Sequence, residues 1–265
     1  MRFAIMALLM LANLVLCQAS DAQNMTSANF NSAGVTIHYV VAGSGSPVIL
    51  VHGLGSSAEI NWQIPGTFKR LAAHHQVIAL DVRGHGRSGK PTEESAYGRQ
   101  MGEDVIRLMD HLHLQKAHLV GYSMGGMIAM RLMVDHPDRI LSCALCGMGL
   151  LKEGSPLQQF WGNMRGQQQN PSTSACMRSF SKLAVTEEAV RGIHLPVKIL
   201  VGDHDIVKSL YVEPLKRVRK DWPEVDIVDA GHLDCIFKPQ FLDELDKWLP
   251  PDPSPQHSAD TQPHR

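Results

Sequence analysis

Ser123 sits at the centre of Gly121-Tyr122-Ser123-Met124-Gly125, and Gly126 follows. A G-x-S-x-G turn between a strand and a helix forces its middle residue into a strained backbone conformation, and small flanking residues let the two elements approach. The serine oxygen is then lifted clear of the sheet at the helix N-terminus, where it can attack an electrophilic carbon. Three other segments offer what such a nucleophile needs. His52-Gly53-Leu54-Gly55 can turn a backbone N–H toward the serine, Gly202-Asp203-His204-Asp205 offers a carboxylate, and Gly231-His232 offers an imidazole. The order Ser123, Asp205, His232 is a nucleophile–acid–base order.

Each of these segments ends a short apolar run, and the runs read as strands. Val48 to Val51 is continuously apolar, as expected of a strand covered on both faces. Val35–Val41, Val77–Leu80, Ala117–Val120, Ile140–Leu145, Val197–Val201 and Val225–Val228 repeat that character from Asn29 onward. Helical candidates lie between them, at Tyr97–Leu112, Met124–Asp135, Leu210–Arg219 and Gln240–Leu249. Strand and helix in alternation predict an α/β fold with a mainly parallel twisted sheet flanked by helices. From Leu150 to Pro196 no strand is evident, yet Phe160, Trp161, Met164, Met177 and Phe180 are too many large apolar groups for a solvated linker. That stretch is expected to be a small helical insertion packed over the rest.

Composition closes off other classes. The chain has 265 residues, enough for one larger domain, and its 19% charged fraction argues against disorder over most of the length. Lys plus Arg number 25 against 26 for Asp plus Glu, which leaves no basic excess for nucleic acid. Arg2 followed by the apolar stretch Phe3–Leu16 is too short for a stable membrane span. With small residues after it, residues 1–22 read as a signal peptide, so the protein is expected to be exported, periplasmic or secreted. The tail 250–265 carries five prolines and few apolar groups and is expected to be disordered. Once Cys17 is removed with the leader, four cysteines remain. Cys143 and Cys146 lie at opposite parity on one apparent strand, so their side chains should point to opposite faces, as buried thiols rather than a metal or redox pair. His74-His75 has no acidic or thiol partner at ligand spacing, His111-x-His113 near a helix end points in different directions and reads as surface, and Trp62 either borders the site or fills a gap nearby.

Taken together, these motifs resemble the α/β-hydrolase superfamily from about Asn29 to Leu249. His52-Gly53, Asp81-Val82-Arg83-Gly84-His85-Gly86-Arg87-Ser88, the Ser123 elbow, the Gly202–Asp205 run and Gly231-His232 stand in the family's order. The resemblance implies residues 23–149 and 197–249 as the hydrolase core and 150–196 as its cap. It implies Ser123 as nucleophile, His232 as base and Asp205 as the acid that orients it. The backbone N–H groups of Leu54 and Met124 would form the oxyanion hole, with no metal or organic cofactor. Asp203 and Asp205 share parity, and the family's G-x-x-D arrangement favours Asp205. Asp203 would instead bond backbone N–H groups that hold the turn. Asp81, Arg83 and His85 match the family's structural loop.

The nucleophile narrows the expected reaction. Haloalkane dehalogenases and epoxide hydrolases resembling this family carry a carboxylate where this chain has Ser123. Serine leaves ester hydrolysis, lactone opening, carbon–carbon hydrolysis or cofactor-free haloperoxidase and perhydrolase chemistry. The last group usually has proline where this chain has Gly55. Carbon–carbon hydrolases are generally intracellular, against the expected export. The resemblance therefore favours a serine carboxylesterase with a short cap, acting on a small-molecule ester with an apolar acyl group. A non-catalytic ligand receptor on the same fold is the alternative of a different class.

Overall fold

The computed structural model describes residues 25–164 and 170–249. The expected leader and the expected tail lie outside the described residues. Eight strands form one sheet: β1 (Thr26–Ser32), β2 (Val35–Ala42), β3 (Pro47–Val51), β4 (Gln76–Leu80), β5 (Ala117–Tyr122), β6 (Ile140–Cys146), β7 (Val197–Gly202) and β8 (Glu224–Ile227). Their spatial order is β1-β2-β4-β3-β5-β6-β7-β8. The first two pair antiparallel at one edge, and β3 to β8 run parallel.

Side-chain alternation divides each apolar strand between two core layers. Ile49 and Val51 pack with Val105, Leu108 and Ile128, from the helices α2 (Arg99–His111) and α3 (Met124–Asp135). Val48 and Leu50 pack on the other face with Phe68 and Leu71 of α1 (Thr67–Leu71). Cys143 and Cys146 likewise fall into different layers, as their parity predicts, and all four described cysteines are free and buried. Each fully buried Leu, Ile or Val adds about 1.5–3 kcal/mol, which is why the apolar runs rather than the helices dictate the sheet.

The described residues of 150–196 include three short helices: α4 (Pro156–Asn163), α5 (Pro171–Arg178) and α6 (Glu187–Arg191). Ser155, Asn170 and Thr186 cap them by accepting backbone N–H groups, and Pro156 and Pro171 open the first turns, where a missing N–H costs nothing. The chain ends its described part with α7 (Glu213–Val218) and α8 (Pro239–Trp248), the latter burying Phe241 and Leu245 against the α1 side.

Two elements differ from the sequence reading. β1 begins before Asn29 and is mostly polar, because it is an edge strand that buries only Phe30 and Ser32. The helix expected over Leu210–Arg219 starts as a wide π turn, Lys208–Val212, before α7. Pro214 lacks the N–H that an unbroken α-helix would use there.

Register sets the site's place. Val51 pairs with Leu80 on one side and Gly121 on the other, and Tyr122 pairs with Cys146. The loops after β3, β4 and β5 therefore leave the sheet side by side at its carboxyl edge, where open α/β sheets gather their ligand groups.

Candidate active site

Ser123 stands between β5 and α3 with φ +52° and ψ −114°, a region a side chain enters only under strain. The close approach that holds it there needs glycine. A Cβ on Gly121 would lie 2.3 Å from the Gly125 carbonyl oxygen, and one on Gly125 would lie 2.1 Å from that of Val51. The Ser123 N–H is taken by the carbonyl of Cys146 at 2.8 Å, so the elbow is pinned to β6.

The structure brings Ser123, His232 and Asp205 together. Ser123 Oγ lies 2.8 Å from His232 Nε2, and His232 Nδ1 lies 2.8 Å from Asp205 Oδ2. A carboxylate can only accept, so Nδ1 carries the proton and Nε2 is free to accept from the serine hydroxyl. Asp205 is fully buried at its side chain, and its other oxygen accepts the Val207 N–H at 2.8 Å. Asp203 takes the holding role expected of it: its oxygens accept the N–H groups of Asp229 and Ala230, both at 3.1 Å. Those bonds, Ala230 first, hold its carboxyl below the ordinary value.

Leu54 and Met124 both border the serine. Met124 opens α3, so its N–H has no acceptor within the helix. The Leu54 N–H has no acceptor among the described residues. Its loop is braced from two sides that sequence reasoning missed. His52 Nε2 accepts the Val82 N–H at 2.9 Å, which places the ring proton on Nδ1 for donation to the Gly53 carbonyl at 2.7 Å. Burial, with His85 beside it, pushes the His52 imidazole down to about 4, so it stays neutral. Asn61 Oδ1 accepts the Gly53 N–H at 2.8 Å. The sequence signal for Asn61 was only its closeness to the His-Gly loop.

Two cavities meet at Ser123, His232 and Leu54. One, about 290 Å³, is apolar and runs under the 150–196 segment between Met124, Met127, Met148, Trp161 and Phe180. The other, about 230 Å³, lies between Asn61, Tyr122, Ile60 and Phe237. Trp62 is fully buried and packs edge-on against Tyr122, filling the space beneath the site rather than bordering it.

The Asp81–Ser88 loop works as scaffold. Asp81 accepts the N–H groups of Ala58 and Arg87, and Arg83 makes a buried two-pronged pair with Asp104 of α2. Among the described residues, Asp203, His204 and Asp229 have metal-like spacing. They are exposed, and the Asp203 oxygens are already engaged by backbone N–H groups.

A family model described as the alpha/beta hydrolase fold matches residues 46–171. The enol-lactonase of Burkholderia xenovorans LB400 superposes with a TM-score of 0.70 at 23% identity, covering 84% of this chain and 99% of that one. The chain has the α/β-hydrolase fold. Proteins similar to this chain include the 2-hydroxymuconate semialdehyde hydrolase of Pseudomonas sp. strain CF600, 29% identical over 82% of this chain and 81% of that protein. Another is the dihydrolipoyllysine-residue acetyltransferase component of the acetoin cleaving system of Pseudomonas putida, 32% identical over 71% of this chain. This chain spans only 59% of that relative's length. No helix among its described residues is long and apolar enough to cross a membrane.

Proposed function

We propose that this chain hydrolyses uncharged carboxylic esters through an acyl-enzyme on Ser123. His232 Nε2 takes the serine proton as Oγ bonds to the carbonyl carbon, and the carbonyl oxygen becomes an oxyanion facing the N–H groups of Leu54 and Met124. His232 then passes the proton to the departing alkoxide, and the ester C–O bond breaks. Water repeats the sequence on the acyl-enzyme and frees the acid. Asp205 keeps the imidazole in the reactive tautomer and stabilises the imidazolium.

The observation that carries the ester reading is the lining of the two cavities. Among the described residues around them there is no Lys, Arg, Asp or Glu. A charged substrate would lose its hydration there without gaining a partner, whereas an uncharged ester loses little. The methionines and Phe180 suit an apolar acyl group of modest size.

Turnover of nitrophenyl esters of increasing acyl length, with Ser123→Ala as control, tests this. Cleavage of short and medium chains that disappears in the variant is expected; ester cleavage surviving in Ser123→Ala overturns the role of Ser123. Carbon–carbon hydrolysis is the second reading, favoured by the identity to the 2-hydroxymuconate semialdehyde hydrolase. Activity on a ring-cleavage product combined with inertness toward every ester would establish it instead.

The export reading stands beside this as a proposal, supported by Arg2 and the apolar stretch after it. Expression with the native leader should yield a protein outside the cytoplasm, shorter by about twenty residues. An exported chain whose intact mass still includes residues 1–22 would count against it.

A further inference from the structure

Tyr122 occupies the position between Gly121 and Ser123, at the end of β5. Its hydroxyl donates to the backbone carbonyl of His232 at 2.5 Å. Its ring lies against the imidazole, with centroids 5.8 Å apart and planes 31° from parallel. The ring itself is immobilised by edge-on contacts from Trp62 at 6.5 Å and Phe241 at 6.3 Å. Burial, reinforced by Cys235 and Asp205, raises the phenol far above its ordinary value, so it remains a donor throughout the working pH range.

His232 belongs to no strand or helix. It sits in the loop between β8 and the short turn Cys235–Phe237, where Asp229 has a positive φ of 51° and Leu233 is 85% exposed. Asp203 ties Asp229 and Ala230, and Asp234 accepts the Gly231 N–H at 2.8 Å. These bonds fix the residues before His232. Tyr122 reaches the main chain of His232 itself.

We propose that Tyr122 is a positioning residue for His232, its hydroxyl fixing the backbone that carries the imidazole and its ring facing the imidazolium as that charge forms. The inference rests on the reading of Ser123 and His232 as nucleophile and base. The hydroxyl holds Nε2 at bonding distance from Ser123 Oγ, a geometry that loses rate steeply when displaced by even 1 Å. The ring lies within the roughly 6 Å over which an aromatic face attracts a cation, so it attracts the imidazolium that forms as Ser123 gives up its proton. The two contributions separate by substitution: Tyr122→Phe removes the hydroxyl alone, and Tyr122→Leu removes both.

The test uses the full chain and the two variants. It measures nitrophenyl acetate turnover, the pH dependence of Ser123 labelling by a fluorophosphonate, thermal melting, and the low-field proton resonance of His232 Nδ1–H. In Tyr122→Phe, labelling and kcat should fall about tenfold with KM little changed. The midpoint of its pH–rate profile should move, and so should the Nδ1–H resonance. Tyr122→Leu should be slower still. A Tyr122→Phe protein that labels at the wild-type rate, with an unmoved midpoint and resonance, overturns the proposal even if it melts earlier, because that pattern belongs to a core-packing tyrosine. Wild-type protein that labels at Ser123 but cleaves no ester would defeat the ester reading alone. If wild type does not label at all, Ser123 falls as nucleophile, and the Nδ1–H resonance still decides whether Tyr122 positions the imidazole.

Discussion

The carboxylate of Asp203 accepts the Ala230 N–H at 3.1 Å and so ties the end of β7 to the loop that presents His232. Two residues later Asp205 turns inward and bonds His232 Nδ1 at 2.8 Å. One strand end thus supplies two carboxylates with separate tasks, one holding the loop and one holding the imidazole. Asp205→Asn should leave a folded protein with turnover down by roughly 10⁴, because an amide cannot fix the Nδ1–H tautomer as a carboxylate does. Asp203→Asn keeps an oxygen for one of its two N–H partners and lies partly in solvent, with 29% of its side chain exposed. It should retain most of its turnover. Ester kinetics and thermal melts of the two variants decide the matter, and the reverse ranking would mean the acid has been misassigned.

Asn61 offers a second kinetic test. Its side chain holds the N–H of Gly53, the residue before the proposed oxyanion donor Leu54. Removing an oxyanion donor outright costs roughly 10²–10³ in kcat. Asn61→Ala loosens the donor's loop without deleting the donor, so the fall should be smaller, about tenfold, and confined to kcat. A rise in KM at constant kcat would assign Asn61 to ground-state binding of the substrate.

What could be seen in the sequence was whatever depends on local pattern. Val48–Val51 announced a strand buried on both faces because all four residues are apolar, and each face received its share. The split of Cys143 and Cys146 followed from parity alone. That Ser123, Asp205 and His232 come together was legible because each follows a strand at the sheet's carboxyl edge. β1 was not, since an edge strand that buries only two of its seven residues has the composition of a loop. The braces were invisible for another reason: Tyr122 meets His232 across 110 residues of sequence, and His52 meets Val82 across 30. No local periodicity encodes such contacts.

The Arg83–Asp104 pair predicts a stability effect away from the chemistry. Both side chains are almost wholly buried, with bonds of 2.6 and 2.5 Å, and Ser32 of β1 adds its hydroxyl to Asp104. Removing one partner strands the other's charge in the interior. Asp104→Ala should therefore lose about 3–5 kcal/mol of folding stability. The double variant Arg83→Met with Asp104→Leu should recover part of that loss, because the buried guanidinium goes with its partner, while the partly exposed Arg107 and the Ser32 hydroxyl still lose Asp104. Denaturant titration of the three proteins checks this; a single variant as stable as wild type would show that solvent reaches the site.

The neutral His52 makes stability fall with acidity. In the unfolded chain its imidazole titrates near the ordinary 6.5, while in the fold burial holds it to about 4. Between those values the unfolded state binds more protons, so folding stability rises with pH there. The contribution is complete above about 6.5 and is lost progressively as pH falls toward 4. A gap of that size corresponds to about 3 kcal/mol. His85, which burial also lowers, acts in the same direction. Melting temperatures between pH 7.5 and 4.5, a range chosen to span most of the window set by the two states' values, should drop steadily for wild type. They should drop less for His52→Asn, which has no imidazole to protonate on unfolding. Parallel melting curves for the two proteins across the range would show that His52 is charged in the fold. The Val82 N–H could then no longer donate to Nε2, contrary to the bond that braces the Gly53–Leu54 loop.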